Sequence, residues 1–327
     1  VPLSILDLAI IAKGETPRDA FDHSVAVARR AEERGYRRVW YAEHHNMRSV
    51  GSSAPAVLIA HVAAHTSTIR LGAGGIMLPN HAPLTIAEQF GTLESLHPGR
   101  IDLGLGRAPG SDQTTRRALR RDARAAESFP GDVRELQGYL TGETTIAGVH
   151  ATPGHGTNVP LYILGSSLFG AGLAARMGLP YAFASHFSPE ALLPAVDLYR
   201  REFEPSAQLA EPYVIAGVNV YAADTDDEAH AQLVRVSRTR VSLFVGRGRT
   251  FTDDEADAVL ASPQGQAIAQ MMRYSAVGPA ATVKEYLDAF AEHADADELI
   301  VNHAAPTVEG RLHSIDLVAD VSGLVPA

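Results

Sequence analysis

Short apolar runs with the composition of buried strands alternate with longer segments of helical periodicity along the whole chain, and this alternation restricts the fold more than any other feature. The runs are "LSILDLAI" from Leu3, "RRVWYA" from Arg37, "TIRLGAGGIML" from Thr68, "RIDLGLG" from Arg100, "PLYILG" from Pro160, "PYAFAS" from Pro180, "VIAGVNVYA" from Val214 and "DELIVNH" from Asp297. Helical patterns separate them. In "PRDAFDHSVAVARRAEERG", Thr16 is placed to cap the first turn, Pro17 suits its first position and Gly35 ends it. About eight such units predict a (β/α)8 TIM barrel, the parallel fold that closes at that number. No linker interrupts the series, so residues 1–327 are expected to form a single domain.

Two stretches exceed the usual connections of a barrel, from about Arg107 to Asn158 and from about Asp224 to Ala276. They are expected to be insertions after strands four and seven, carrying helices of their own. The punctuated segment "FVGRGRTFTDDEADAVL" in the second is a candidate lid.

Composition narrows the function classes. The 28 basic against 38 acidic side chains give a formal charge of −10, which as a whole repels nucleic acid and anionic membranes. The basic stretch "RRALRRDAR" from Arg116 reads first as a solvated helix face. The absence of cysteine removes disulfides, thiolate metal sites and cysteine nucleophiles, and with no long apolar span or basic leader the expectation is a soluble, cytoplasmic protein.

In a (β/α)8 barrel the carboxyl ends of the strands carry the chemistry. Here they are rich in Gly, His and hydroxyl residues, in "EHHNM", "GAGGIMLPNHAPL", "GLGRAPGSDQ", "LGSSLFG", "ASHFSP" and "NHAAP", whereas the strand starts read as plain. Gly72, Gly74 and Gly75 remove three side chains from one strand. Either a flat ring lies against its backbone, or the glycines form a bulge and ease barrel packing. The turn "GSSLFGAG" from Gly165 offers hydroxyls and free N–H groups to a phosphate, although the same residues are ordinary helix caps, and Arg107 could add a fixed charge. His44 and His45 on a strand end point to opposite faces, so one faces the pocket and no single ion takes both. His61 and His65 lack the glutamate of a zinc helix, and no metal is expected.

The segments "YAEHHNM", "LGAGGIMLPNHAPLTIAEQFGTL", "HPGRIDLGLGRAPGSD" and "YILGSSLFGAGLAARMGLPYAF" resemble the bacterial luciferase-like flavin monooxygenases, in their alkanal monooxygenase-like branch. The resemblance implies a TIM barrel, dimeric in that family. It implies reduced FMN supplied by a separate flavin reductase, and O2 as co-substrate for oxygenating a small organic aldehyde or ketone. On this resemblance His44 matches the pocket histidine that handles the flavin hydroperoxide. Ala73, Gly74 and Gly75 match the segment against the flavin ring, Gly74 and Gly75 at its cis peptide. Arg107 matches the arginine near the flavin phosphate, and Gly165, Ser166, Ser167 and Gly170 match the phosphate turn. Gly170 stands where a hydroxyl residue is found in luciferase, and Gly106 where luciferase has a reactive cysteine. Asn46 is a candidate substrate contact, and Glu43 is expected to orient a neighbour. Light emission is not expected. The alternatives are a flavin-binding protein without turnover and an oxidoreductase on the same fold using the deazaflavin F420.

Overall fold

All eight strand-like runs form strands, and their hydrogen bonds join them into a ring. The computed structural model describes residues 1–108, 112–144, 146–245, 249 and 251–326. In chain order its elements are β1 (Leu3–Asp7), α1 (Pro17–Glu33), β2 (Arg38–Tyr41), α2 (Pro55–Ala63), β3 (Arg70–Met77), α3 (Pro83–Leu96), β4 (Ile101–Gly106), α4 (Gln113–Ala118) and α5 (Phe129–Thr141). There follow β5 (Leu161–Gly165), α6 (Leu168–Met177), β6 (Tyr181–Phe183), α7 (Leu192–Arg201), β7 (Val214–Ala222), α8 (Asp226–Phe244), α9 (Asp253–Leu260) and α10 (Pro263–Met271). The last elements are β8 (Ser275–Gly278), α11 (Ala280–His293), β9 (Glu298–His303) and α12 (Val308–Ser322).

Strands β1 to β6 pair in order, β6 pairs with β7, β7 with β9 and β9 with β1, all parallel, which closes an eight-stranded barrel. Both insertions fall where the spacing placed them. The stretch from about Asp224 to Ala276, however, holds a ninth strand as well as helices. β7 outruns the three-residue β6, and β8 pairs with the part of β7 that β6 does not reach, from Asn219 to Ala222. The four residues "SAVG" are too short and too small to signal a strand by periodicity. Of the candidate lid, Gly246, Arg247, Gly248 and Thr250 lie outside the described residues; from Thr252 onward a capping box with Glu255 starts α9. At α1 the expected capping is observed, with Thr16 and Asp19 in a reciprocal box, Pro17 in the first turn and Gly35 at a φ of +80° just beyond the end.

Side chains alternate along each strand, so the barrel has two apolar layers. Ile5, Val39, Leu71 and Leu103 pack outward against the helices, while Leu6, Trp40, Ala42, Tyr162, Ala182, Ile215 and Ile300 form a separate cluster inside. The strand starts are not plain, contrary to the sequence expectation. Beneath the inner cluster, the buried Arg38 guanidinium donates to Asp102 and to the Tyr162 hydroxyl, both at 2.7 Å, and to Glu298 at 3.2 Å. Ser4, Trp40, Arg70 and Tyr213 donate to the same two carboxylates. Dispersed over six strands, these polar residues leave no local pattern. They form a sealed floor, so the opposite end of the barrel is the one available to ligands. Among the described residues no helix is long and apolar enough to cross a membrane, and no group of three His, Cys, Asp or Glu is gathered to hold a metal ion.

Candidate active site

Beyond β2 the chain turns through Glu43, His44 and His45. Glu43 is fully buried; its Oε1 pairs with His45 Nε2 at 2.7 Å and His81 Nε2 at 2.8 Å, and its Oε2 accepts the Met77 amide at 3.0 Å. Burial alone would raise the Glu43 carboxyl, but bonds from His81, then His45 and the Met77 amide, hold it below the ordinary glutamate value. Asn80 Nδ2 also donates to Oε1 at 3.5 Å, so Glu43, expected to orient a neighbour, holds four groups. With His45 turned to that carboxylate, His44 is left apart. Its Nδ1 is buried without a hydrogen-bond partner, and burial keeps the imidazole below its ordinary value, with Glu43 partly opposing. His44 is therefore neutral near pH 7, with a ring nitrogen free to exchange a proton.

The Gly74–Gly75 peptide is cis, and the β3–β4 register shifts between Ala73 and Ile76. A Cβ at Gly74 would lie 2.8 Å from Trp40 Cβ, and one at Gly75 would lie 2.6 Å from the Gly104 carbonyl oxygen. Barrel packing and a bulge thus account for the glycines by themselves. Ala73 is buried in the outer layer, so any ligand in the barrel meets its backbone.

On the β4–β5 side, the Arg107 guanidinium lies 4.0 Å from the centroid of the Phe169 ring, which brings it to the first turn of α6. Ser167 is the N-cap residue of that helix, yet its hydroxyl makes no capping bond. The first-turn N–H groups are therefore left without a side-chain cap at the positive end of a helix, beside the exposed Ser167 and the half-buried Ser166. The turn is fixed from below, because Tyr181 donates to the Ser167 carbonyl at 3.0 Å and a Cβ on Gly170 would lie 3.3 Å from the Tyr181 ring. Gly165 ends β5 immediately before it. Arg107, Gly165, Ser166, Ser167 and Gly170 are thus brought together, and this donor set suits a phosphate. Asn46 is placed differently: it is exposed, at a φ of +57°, and donates to Asp112, the N-cap of α4, at 3.1 Å.

A second polar group stands on the β6–β7–β9 side; the strand ends "ASHFSP" and "NHAAP" pointed to His186 and Asn302, but Asn219 and Arg240 were not singled out from the sequence. Asn219 donates to the His186 carbonyl at 2.7 Å and accepts from Asn302 at 3.0 Å and Arg240 at 3.3 Å. The His186 ring packs on Gly217, where a Cβ would stand 2.4 Å from Nδ1. Burial, with the charges of Arg240 and His44, pushes His186 down to about 3. An Asn inside the apolar run "VIAGVNVYA" was the available signal. Nothing local marks Arg240, which comes from the inserted helix α8.

Known proteins are similar to this chain over nearly its whole length. The family pattern described as luciferase-like monooxygenase matches residues 4–298. A luciferase-like monooxygenase of Escherichia coli (strain K12) is 46% identical over 324 residues, 98% of this chain and 97% of that protein. The crystal structure of apo-MsnO8 superposes with a TM-score of 0.90 at 34% identity, covering 100% of both chains. Two more distant structures share the fold. One is the oxygenating constituent of 3,6-diketocamphane monooxygenase from Pseudomonas putida in complex with FMN (TM-score 0.74, 18% identity, 97% and 96% covered). The other is a coenzyme F420-dependent tetrahydromethanopterin reductase from Methanopyrus kandleri (TM-score 0.71, 19% identity, 99% of each covered). The chain is an enzyme of the luciferase-like monooxygenase family.

Proposed function

We propose that this enzyme uses reduced FMN and O2 to oxygenate a small aldehyde- or ketone-like substrate, receives the reduced flavin from a separate reductase, and works as a cytoplasmic homodimer. The observation that carries the reading is the uncapped N-terminus of α6 beside Arg107, at the same barrel end as the unpartnered His44 nitrogen. Ser166, Ser167 and the first-turn amides would hold the phosphate, with Arg107 as counter-charge. The ring would rest against the backbone from Ala73 to Gly75, whose shape is set by Glu43.

When bound, reduced flavin supplies the electrons that activate oxygen, chemistry no side chain of this protein can perform. The protein positions the reactants, excludes water and moves a proton. The polar floor and the inner apolar cluster close the barrel below, and the insertion after β7, whose Arg240 bonds Asn219, would shield it from water above. His44, neutral and desolvated, takes a proton at Nδ1 or returns it as the substrate carbonyl is attacked.

The test is an anaerobic titration of the purified protein with reduced FMN and, separately, with reduced F420, followed by mixing with oxygen and analysis of added aldehydes and ketones. Binding of reduced FMN with oxygen-dependent product supports the proposal. Preference for F420 with oxygen-independent oxidation would replace it with hydride transfer, and FMN binding without product would leave a flavin-holding protein.

A further inference from the structure

We propose that Arg240, Tyr221 and His186 form a subsite for the carboxylate of a small organic acid, so that the substrate enters with a negatively charged group anchored on the β7 side of the barrel. The proposal rests on the flavin monooxygenase reading and narrows its substrate class.

Arg240 is mostly buried, yet among the described residues no carboxylate pairs with it. Its one hydrogen bond, from Nη2, is the 3.3 Å contact to Asn219 Oδ1, a neutral oxygen already accepting from Asn302, and its Nη1 is buried without a partner. Other arginines of this protein are treated otherwise. Arg38 is matched by Asp102 and Glu298, and Arg238, two residues away on α8, pairs with Asp253 and Asp257. Leaving a desolvated guanidinium unmatched costs stability that a neutral side chain would recover.

Two more polar groups stand along the same face of β7 as Asn219. Tyr221 is completely buried and its hydroxyl has no partner; it and Arg240 perturb one another electrostatically. His186 Nδ1 is also buried and unpartnered, within reach of the Arg240 charge. Asn219 bonds both Arg240 and the His186 carbonyl, the His186 ring packs on Gly217, and Tyr221 shares the face of β7 that carries Gly217 and Asn219, so a cation and two hydrogen-bonding groups are gathered around a single shared amide oxygen. An oxyanion is the ligand that satisfies such a set, and the planar guanidinium favours a carboxylate. The surroundings strengthen the attraction, because Tyr221 packs with Val241, Ala256, Ile268 and Met272 of the insertion, where water is excluded.

This subsite is separate from the phosphate turn. Arg107 and α6 stand on the β4–β5 side, whereas Asn219, Asn302 and Arg240 stand over β7 and β9.

The test is isothermal titration of the whole protein, with and without saturating FMN, using hexanoate and its neutral counterpart hexanamide as probes. Hexanoate is expected to bind at least about tenfold more tightly than hexanamide. Arg240→Met should abolish that preference, Arg240→Lys should keep part of it, and Tyr221→Phe should weaken it, all without change in FMN affinity. Equal binding of the two probes, no binding of hexanoate, or a preference that survives Arg240→Met would overturn the proposal. So would a preference lost in Arg107→Ala instead, which would place the anion at the phosphate turn. Tyr221→Phe, which keeps the packing, guards against a misfolded Arg240 variant. Failure of the flavin reading would appear separately, as absence of FMN binding in the unmodified protein.

Discussion

The main-chain N–H of Glu43 donates to the carbonyl of Gly75 at 3.3 Å, from the same residue whose carboxylate accepts the Met77 amide. The tip of β2 thereby holds the bulged segment of β3 on both sides, and the two sequence segments most typical of the family form one structural unit. Glu43→Ala should leave the Met77 amide and two histidines unsatisfied in a buried place, costing about 2–5 kcal/mol by denaturant unfolding. Glu43→Gln, which keeps an acceptor, should cost less. Because Glu43 is held below its ordinary value of 4.5, its stabilisation is complete above that pH and is lost as the pH falls through the lower folded value. Glu43→Gln should therefore flatten the decline in stability below about pH 4.5, and an unaltered decline would remove Glu43 as its source.

Arg38 answers two buried carboxylates at once. Arg38→Met strands Asp102 and Glu298 among apolar side chains and should destabilise by about 3–5 kcal/mol or prevent folding. Adding Asp102→Asn and Glu298→Gln should restore part of the loss, since neutral groups tolerate the site. Unfolding curves that show the single variant as stable as the parent would mean the floor is wet.

The fold was legible because each barrel strand carries its own apolar run and several helices announce their start locally, as Thr16 and Pro17 do for α1. His44 and the residues of the α6 turn were legible for a related reason: they lie next to strand ends, where polar side chains stand out against apolar neighbours. Arg240 was not, because its meaning depends on Asn219, twenty-one residues earlier, and on the path of an insertion that no local period encodes. The floor was missed because Ser4, Arg38, Asp102 and Glu298 each look like an isolated surface residue until the barrel closes.

Two histidines with depressed pKa values, His303 fully buried and His186 partly so, give the protein an acid-side weakness. Burial lowers both His186 and His303 to about 3, so below the ordinary value of 6.5 the unfolded chain takes up protons that the native state refuses. Stability contributed by each is present above pH 6.5 and lost progressively as the pH falls towards 3. The combined slope should approach about 2.7 kcal/mol per pH unit near pH 5. His303 bonds Ser314 and Tyr36, away from the active site, and His303→Gln should roughly halve that slope in urea unfolding measured from pH 7 to 4. A slope unchanged in this variant would rule His303 out.

The phosphate turn predicts a distinction between two flavins. Arg107→Ala should weaken FMN binding by about tenfold or more, while riboflavin, which lacks the phosphate, should bind the variant and the parent alike. Fluorescence quenching titrations of both flavins would decide it; equal losses would mean that Arg107 supports the site through its contact with the Phe169 ring rather than through charge.

His44 tests the proposed chemistry itself. It is joined to the fold through its backbone, with its N–H donating to the Ser52 carbonyl at 3.0 Å, and its imidazole Nδ1 has no partner to lose. His44→Ala should therefore leave stability and FMN affinity nearly unchanged while lowering turnover by about 10² or more. Its depressed pKa sets the direction of the pH profile: the neutral form persists below 6.5, so the acid limb of kcat should fall at a lower pH than for an ordinary histidine. That limb should vanish in His44→Ala, whose residual rate is flat across the same range. Full activity in the variant would take His44 out of the mechanism, and a slow variant that kept the acid limb would assign the proton transfer to another group.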